Sequence, residues 1–214
     1  YQDGKSGVYY DAWRSTNARA RSIYDLTYKY AKGTLTQADI DDNRSDILTL
    51  AEEIDWVSIG KSYVASTPYS DGSAVDYQNN SGTELTDGIL GASDLGTEWH
   101  AFHITKLDPD GRMNVTIDLG EVYNDLTHFL IQFSHLEKYG IDDPADDVKI
   151  YISENGTDFT LLAEPSLEYV DTTSYVTYDC EPVSARYVKY SLVNSNANFV
   201  FCGEAAVGVD KEEV

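Results

Sequence analysis

Glu84-Leu-Thr-Asp-Gly-Ile-Leu-Gly-Ala-Ser-Asp-Leu-Gly-Thr-Glu-Trp99 is the stretch that decides how this chain folds. It is too rich in glycine and too irregular in its apolar positions for a helix or a strand. Gly88, Gly91 and Gly96 are expected to take positive φ and fold the backbone tightly. Asp87, Asp94, Thr97 and the loop carbonyls offer hard oxygen donors, and Trp99 pins the loop to a core. A compact loop crowded with oxygens suits Ca²⁺, which takes about six to eight oxygen ligands in flexible geometry. Asp and Gly are also the commonest turn residues. On its own the loop therefore reads equally as a solvated acidic turn.

On the C-terminal side the apolar period is 2. Val115-Thr-Ile-Asp-Leu119 reads as a strand ended by Gly120, and Thr127–Ser134 as another. Val148–Ser153 follows, closed by the Glu154-Asn-Gly156 turn. Tyr175–Asp179, Arg186–Leu192 and a run from Phe199 to Val209 complete the set. Short strands with turns between them and no helical period argue for an antiparallel sandwich. On the N-terminal side, residues 65–83 are polar loop and Ile59–Val64 reads as a strand.

Further upstream the period becomes helical. Tyr10, Trp13, Ala20, Ile23, Leu26 and Tyr30 form one apolar stripe, stopped by Gly33. Thr36 is a plausible N-cap with Asp39 three residues on, and Ile40, Ile47, Ala51, Ile54 and Val57 form a second stripe. With so short a link, two antiparallel helices are expected. The fold class read from the sequence is mainly β: an antiparallel jelly-roll sandwich preceded by an α-helical hairpin. The hairpin is assigned to residues 1–57, as the tail of a preceding module, and the sandwich to 58–214.

Lys and Arg total 15 against 37 Asp and Glu, a formal net charge of −22. That excess argues against nucleic acid and anionic membrane surfaces as partners. No apolar run approaches the ~18 residues of a membrane span. The charge fits a secreted or cell-surface protein with carboxylates available for Ca²⁺. The chain begins at Tyr1 without a signal peptide and reads as a piece of a longer polypeptide. Cys180 and Cys202 are too few for a disulfide framework; whether they pair or stay as thiols is open.

Residues 59–210 resemble a discoidin domain, the coagulation factor V/VIII type C class with a galactose-binding-like jelly roll. The pieces that carry the resemblance are Gly60-Lys-Ser62, Leu85-Thr-Asp-Gly88, Thr97-Glu-Trp99 and Val115-Thr-Ile-Asp-Leu-Gly120. Gly140-Ile-Asp-Asp-Pro144 follows ahead of Val148-Lys-Ile-Tyr151. Ser153–Phe159, Ala185-Arg-Tyr-Val-Lys189 and Gly203-Glu204 close the set. Their order and spacing are more specific than any one piece. The nearest subgroup is the bacterial family 32 carbohydrate-binding modules, which accompany secreted glycoside hydrolases and adhesins. The resemblance implies a single structural Ca²⁺. Its ligands here are Asp87 and Glu204 by side chain, Glu84, Ile89 and Gly203 by carbonyl, and Thr97 by carbonyl and hydroxyl. The stretch from Asp87 to Thr97 is longer than the family pattern, which makes Asp94 a substitute for Ile89.

The resemblance also implies a ligand site on loops at one end of the sandwich, with an aromatic residue just before the last strand. That position is Phe199, preceded by Asn194-Ser-Asn-Ala-Asn198. Sugars present C–H faces and hydroxyl rims, so a site needs an aromatic platform and polar groups aimed at its edge. Phe199, Asn198 and Asn196 are the first candidates. His100 and His103 after Trp99, and His135, Glu137, Tyr139 and Asp142 in the 134–143 loop, are the others. Phe199 alternates with Phe201, and one of the two is expected to face the core. The galactose-type pattern places an Arg beside the aromatic, and none lies in these loops; Arg112 and Arg186 are elsewhere in the chain.

Adjacent carboxylates such as Asp142/Asp143 and Glu52/Glu53 lack the separation across a cleft that glycosidases need, about 5–10 Å. They read as solvated acidic faces. No Gly-x-Ser-x-Gly elbow, Cys–His arrangement or phosphate loop is present. The expected function is non-catalytic: a calcium-stabilised, monomeric carbohydrate-binding module that holds linked modules near mono-, oligo- or polysaccharides. The alternative is a spacer or protein-docking unit with no sugar site.

Overall fold

The computed structural model describes residues 54–66, 82, 84–91, 99–144, 147–170, 173–193 and 198–211. The chain divides into two units between Glu53 and Ile54, and the described residues all belong to the second. The expected helical hairpin therefore lies outside the described residues, except at its C-terminal end. There the expectation is corrected. Ile54 and Asp55 form strand β1 (Ile54–Asp55), paired with Asp210 and Val209. Ile54 fits the helical stripe by spacing, but it is buried as a strand residue because an edge of the last strand offers its backbone partners.

The remaining strands are β2 (Tyr63–Ala65), β3 (His100–His103), β4 (Met113–Ser134), β5 (Lys149–Ser153), β6 (Thr160–Ala163), β7 (Glu168–Val170), β8 (Thr173–Leu192) and β9 (Phe199–Asp210). All their mutual pairings are antiparallel. Long strands β4 and β8 give the sheet its shape. The first part of β4, 113–118, pairs with 187–192 of β8, flanked by β2 on one side and by β5 and β6 on the other. The second part, 126–134, pairs with 173–183 of β8 and with β9, which carries β1 and β3. Register shifts between Asp118 and His128, with Gly120 at φ 89°, bend β4 from one layer into the other. The curled sheet thereby closes into two layers. Tyr190 on β8 donates from its hydroxyl to the Ala206 carbonyl on β9 at 2.7 Å, tying them together.

The expected strands at 115–119 and 127–134 are thus one strand, and so are those at 175–179 and 186–192. Gly120 kinks β4 without ending it. Backbone pairing runs on through an exposed polar stretch where the apolar pattern lapses. The strand expected at Ile59–Val64 begins only at Tyr63, because a turn with Gly60 at φ 73° precedes it.

From Met113 to Leu119 the burial alternates, with Met113, Val115, Ile117 and Leu119 inward, as a half-buried strand requires. The second part of β4 is buried on both faces. Phe129, Ile131 and Phe133 enter the main core with Val176, Val188, Tyr190, Cys202 and Val207. On the other face His128, Gln132 and Ser134 are also buried. A second, smaller cluster of Trp99, Ala101, Leu136, Ile141 and Phe201 lies apart from the main core, with Phe199 packed against it. Cys180 and Cys202 are both thiols, on β8 and β9.

Candidate functional site

The glycine-rich loop is seated on β4 and β9. A single 3₁₀ turn, Glu84–Thr86, buries Leu85 and Thr86, and the Thr86 hydroxyl donates to the Lys61 carbonyl at 2.6 Å. Gly88 takes φ 80°, which suits glycine. Gly91 does not take positive φ, contrary to expectation; it is needed for closeness instead. A Cβ there would lie 2.5 Å from Trp99 Cζ2. Gly203, on β9, meets the same indole, and a Cβ on it would stand 2.8 Å from Trp99 Cζ3. Trp99 is 1% exposed, so the expected anchoring role holds.

This seating brings two distant carboxylates together. Glu204, 3% exposed on β9, accepts a hydrogen bond from the Gly88 amide at 3.3 Å, while Asp87 Oδ1 accepts from the Ile89 amide at 2.8 Å. Burial, and then the neighbouring Asp87 charge, push the Glu204 carboxyl up to about 9. Its Oε2 atom is sealed from solvent and has no hydrogen-bond partner. A buried acid facing a second carboxylate, with an oxygen left over, is the donor set a hard divalent cation satisfies. Glu84 and Ile89 lie in the same short segment as Asp87, and Gly203 adjoins Glu204 on β9, so the residues fit Ca²⁺. Asp94 and Thr97 lie outside the described residues.

The ligand-face candidates divide. β3 and β9 pair with His103 opposite Phe199 and Ala101 opposite Phe201. His103 and Phe199 stack edge to face, their ring centroids 4.7 Å apart. Phe199 and Phe201 share one face of the strand, as residues two apart must, with ring centroids 6.0 Å apart. One of the two is a core residue, as expected, although both lie on the same face: Phe201 is 3% exposed within the smaller cluster, and Phe199 is half-buried at its edge.

Around Phe199 the backbone knits the 134–143 loop to β9. Phe199 N–H donates to the Gly140 carbonyl at 3.2 Å, Asp142 N–H to the Phe199 carbonyl at 3.1 Å, and Ile104 N–H to the Asn198 carbonyl at 3.1 Å. Tyr139 is 48% exposed, with the Lys138 ammonium 4.7 Å from its ring centroid. His135 Nδ1 lies 3.0 Å from Asp142 Oδ1 and 2.6 Å from Asp143 Oδ2. Phe199, Asn198, His103, His135, Tyr139 and Asp142 thus converge at one end of the sandwich. Asn196 and the Glu137 side chain lie outside the described residues.

His100 does not join them, which corrects the reading of it as a ligand residue. It is one residue out of phase with Ala101 and His103, so it points the other way on β3. It is 1% exposed, 4.7 Å from the Phe102 ring and 6.3 Å from the Tyr63 ring. Burial holds its imidazole down to about 4. Asp143, read as half of a solvated acidic pair, is instead 2% exposed, and Ser174 Oγ donates a hydrogen bond to its Oδ1. Gln132, which holds Gly91 of the glycine-rich loop, is a residue of this site that the sequence reading misses. Its only signal there is a polar residue inside an apolar strand. Arg112 and Arg186 are engaged with Asp147 at 3.0 Å and Asp118 at 2.7 Å.

A two-layer antiparallel β-sandwich with its loops gathered around an aromatic is the class of protein these observations define. Residues 64–205 match the F5/8 type C domain family, well over half of the chain, and the chain belongs to that family. No curated protein matches the sequence. Among solved structures it is similar to a mutant of the lectin binding domain of Lectinolysin complexed with Lewis b, at 12% identity and TM-score 0.52, covering 73% of this chain and 97% of that one. It is also similar to a Streptococcus pneumoniae fucose binding module, at 14% identity and TM-score 0.50, covering 72% and 94%. A third likeness is CBM32-1 from a family 31 glycoside hydrolase from Clostridium perfringens, at 15% identity and TM-score 0.48, covering 70% and 96%. At these identities the likeness is one of fold.

Proposed function

We propose that this domain is a non-catalytic glycan-binding module, stabilised by Ca²⁺ and carried by a secreted multimodular protein. The observation that carries the reading is the half-buried Phe199 at a loop end shared with His103, Tyr139, Asn198, His135 and Asp142. A ring fixed at the edge of a small apolar cluster gives a sugar's C–H face a surface whose ordering cost is already met. Imidazole, amide, phenol and carboxylate groups beside it donate to and accept from hydroxyls. Two domains of the same fold are described as complexed with Lewis b and as fucose binding, which supports a saccharide as the ligand class here. With one platform in a shallow site, affinity in the mM range, about −4 kcal/mol, is expected. Linkage to other modules would then raise its effective concentration at a glycan.

When bound at Asp87 and Glu204, Ca²⁺ would supply the positive charge that lets the buried Glu204 carboxyl ionise beside Asp87. These residues then hold the 84–91 loop to β9 across 116 positions of sequence. A glycan array probed with the wild-type domain and Phe199→Ala tests the reading. Saccharide binding that the variant loses is expected. Saccharide binding that Phe199→Ala keeps, or none by either protein, overturns it.

A further inference from the structure

Beside Phe199, and partly shared with the proposed saccharide site, lies a group of side chains that the calcium loop does not use. His135 follows the end of β4, Asp142 and Asp143 lie in the loop after it, and their three ligand atoms all fall within 4.8 Å of one another. His135 Nδ1 faces both carboxylates, at 3.0 Å from Asp142 Oδ1 and 2.6 Å from Asp143 Oδ2. One ring nitrogen carries at most one hydrogen, so it cannot serve two carboxylates as a donor.

An independent observation concerns Asp143 alone. Its side chain is 3% exposed. Its Oδ1 is held by the Ser174 hydroxyl, whereas its Oδ2 is sealed from solvent and in hydrogen-bond geometry with no donor. That atom is close to the imidazole nitrogen but off the line a hydrogen bond needs. It lies 2.6 Å from His135 Nδ1 and within 4.8 Å of a ligand atom of Asp142.

We propose that His135 Nδ1, Asp142 Oδ1 and Asp143 Oδ2 form a second cation site, for a first-row divalent transition metal of the Zn²⁺ type. The donor set decides the metal class. Ca²⁺ takes oxygen ligands, so an imidazole argues against it. Imidazole nitrogen and carboxylate oxygen are both ligands that Zn²⁺ accepts, and three protein ligands leave a position open for water or another ligand. Outer groups of the usual kind are in place. Ser174 orients Asp143 through Oδ1, and the Asp143 amide donates to Asp142 Oδ1 at 2.9 Å. His135 and Asp142 are each a little over one-quarter exposed, so an ion has a way in from solvent. The site also adjoins the platform, because the Asp142 amide is bonded to the Phe199 carbonyl.

Calorimetric titration of Zn²⁺ into the Ca²⁺-saturated protein, with no sugar present, tests this. One equivalent of Zn²⁺ should bind saturably, and Ca²⁺ should not compete for it. Asp143→Asn and His135→Gln should each abolish the binding, and Ser174→Ala should weaken it about tenfold. Asp87→Ala, in the other loop, should leave it unchanged. Because Asp143 is buried, circular dichroism must show each variant folded, and partly exposed His135 supplies the second variant if Asp143→Asn is not. Absence of saturable binding to the wild type, or equal binding by folded His135→Gln, overturns the proposal. No glycan enters the experiment, so its outcome is separate from that of the glycan array.

Discussion

The Gln132 side-chain amide pairs with both backbone groups of Gly91. Gly91 N–H donates to Gln132 Oε1 at 2.7 Å, and Gln132 Nε2 donates to the Gly91 carbonyl at 3.0 Å. The amide thus stands in for a neighbouring strand. It satisfies two backbone groups of a loop whose described residues 84–91 lie in no strand, and Nε2 is also 3.0 Å from the Tyr175 hydroxyl. Through this contact β4 holds the glycine-rich loop in the position from which Asp87 reaches Glu204.

Replacing Gln132 by Leu keeps the bulk and removes the pairing. The Gly91 amide and carbonyl are then buried without partners, at about 1–3 kcal/mol each. A loss of at least about 2 kcal/mol in urea unfolding is expected. A variant as stable as wild type would mean that water replaces the amide and the loop is held by other contacts.

Gly91→Ala tests close approach rather than backbone freedom. Its Cβ would meet the Trp99 ring at 2.5 Å, and Gly203 approaches the same indole closely. Overpacking of this kind costs about 1–3 kcal/mol. Gly111→Ala is a useful contrast: its φ of 77° strains an alanine, but nothing lies within 4 Å of the added carbon. Trp99 fluorescence should change in the first variant and not in the second.

Removal of calcium should lower the melting temperature. If free Ca²⁺ is about a thousand times Kd, binding stabilises the fold by roughly 4 kcal/mol. Asp87→Ala and Glu204→Gln should melt at the same temperature with and without chelator. A wild-type melt that ignores excess chelator would count against the calcium reading while leaving the fold assignment intact.

His100 makes a contribution to acid sensitivity. Its folded pKa of about 4 lies below the ordinary 6.5 of an imidazole because burial disfavours the charged ring. Between those values the unfolded chain binds a proton that the folded chain does not, so stability falls as pH drops from about 6.5 to 4. Above 6.5 the contribution is flat. The total is about 3 kcal/mol, since each tenfold difference in proton affinity between the two states is worth roughly 1.4 kcal/mol. Urea unfolding between pH 4.5 and 7.5 should show His100→Leu losing less stability on acidification than wild type. Equal slopes would place the acid sensitivity on other groups.

Phe199→Ala should reduce saccharide affinity at least about tenfold, or ~1.4 kcal/mol. Far-ultraviolet circular dichroism should be unchanged, since the ring is half-buried at the edge of the smaller cluster. His103→Ala should weaken binding as well, because its ring braces Phe199. His100→Leu should not, because that side chain faces the main core side of β3.

Local chemistry in the sequence went a long way with this protein. Glycines around Asp87 announced a loop, and alternation from Val115 to Leu119 announced a strand. The order of weak motifs from Gly60 to Glu204 announced the family, and with it the meeting of Asp87 and Glu204. Spacing also said which residues share a face, though not which face is covered. His100 and His103 lie three apart on one short strand, so pleating sends them to opposite sides; only packing against Tyr63 and Phe102 made one of them core. Asp142 and Asp143 are neighbours in sequence, yet one keeps access to water and the other is shut in against Ser174. Burial of a given side chain depends on which distant segment lands on it, and period 2 carries no information about that. The loop laid across Gln132 and the bend that makes β4 a single strand were therefore decided by the tertiary structure alone.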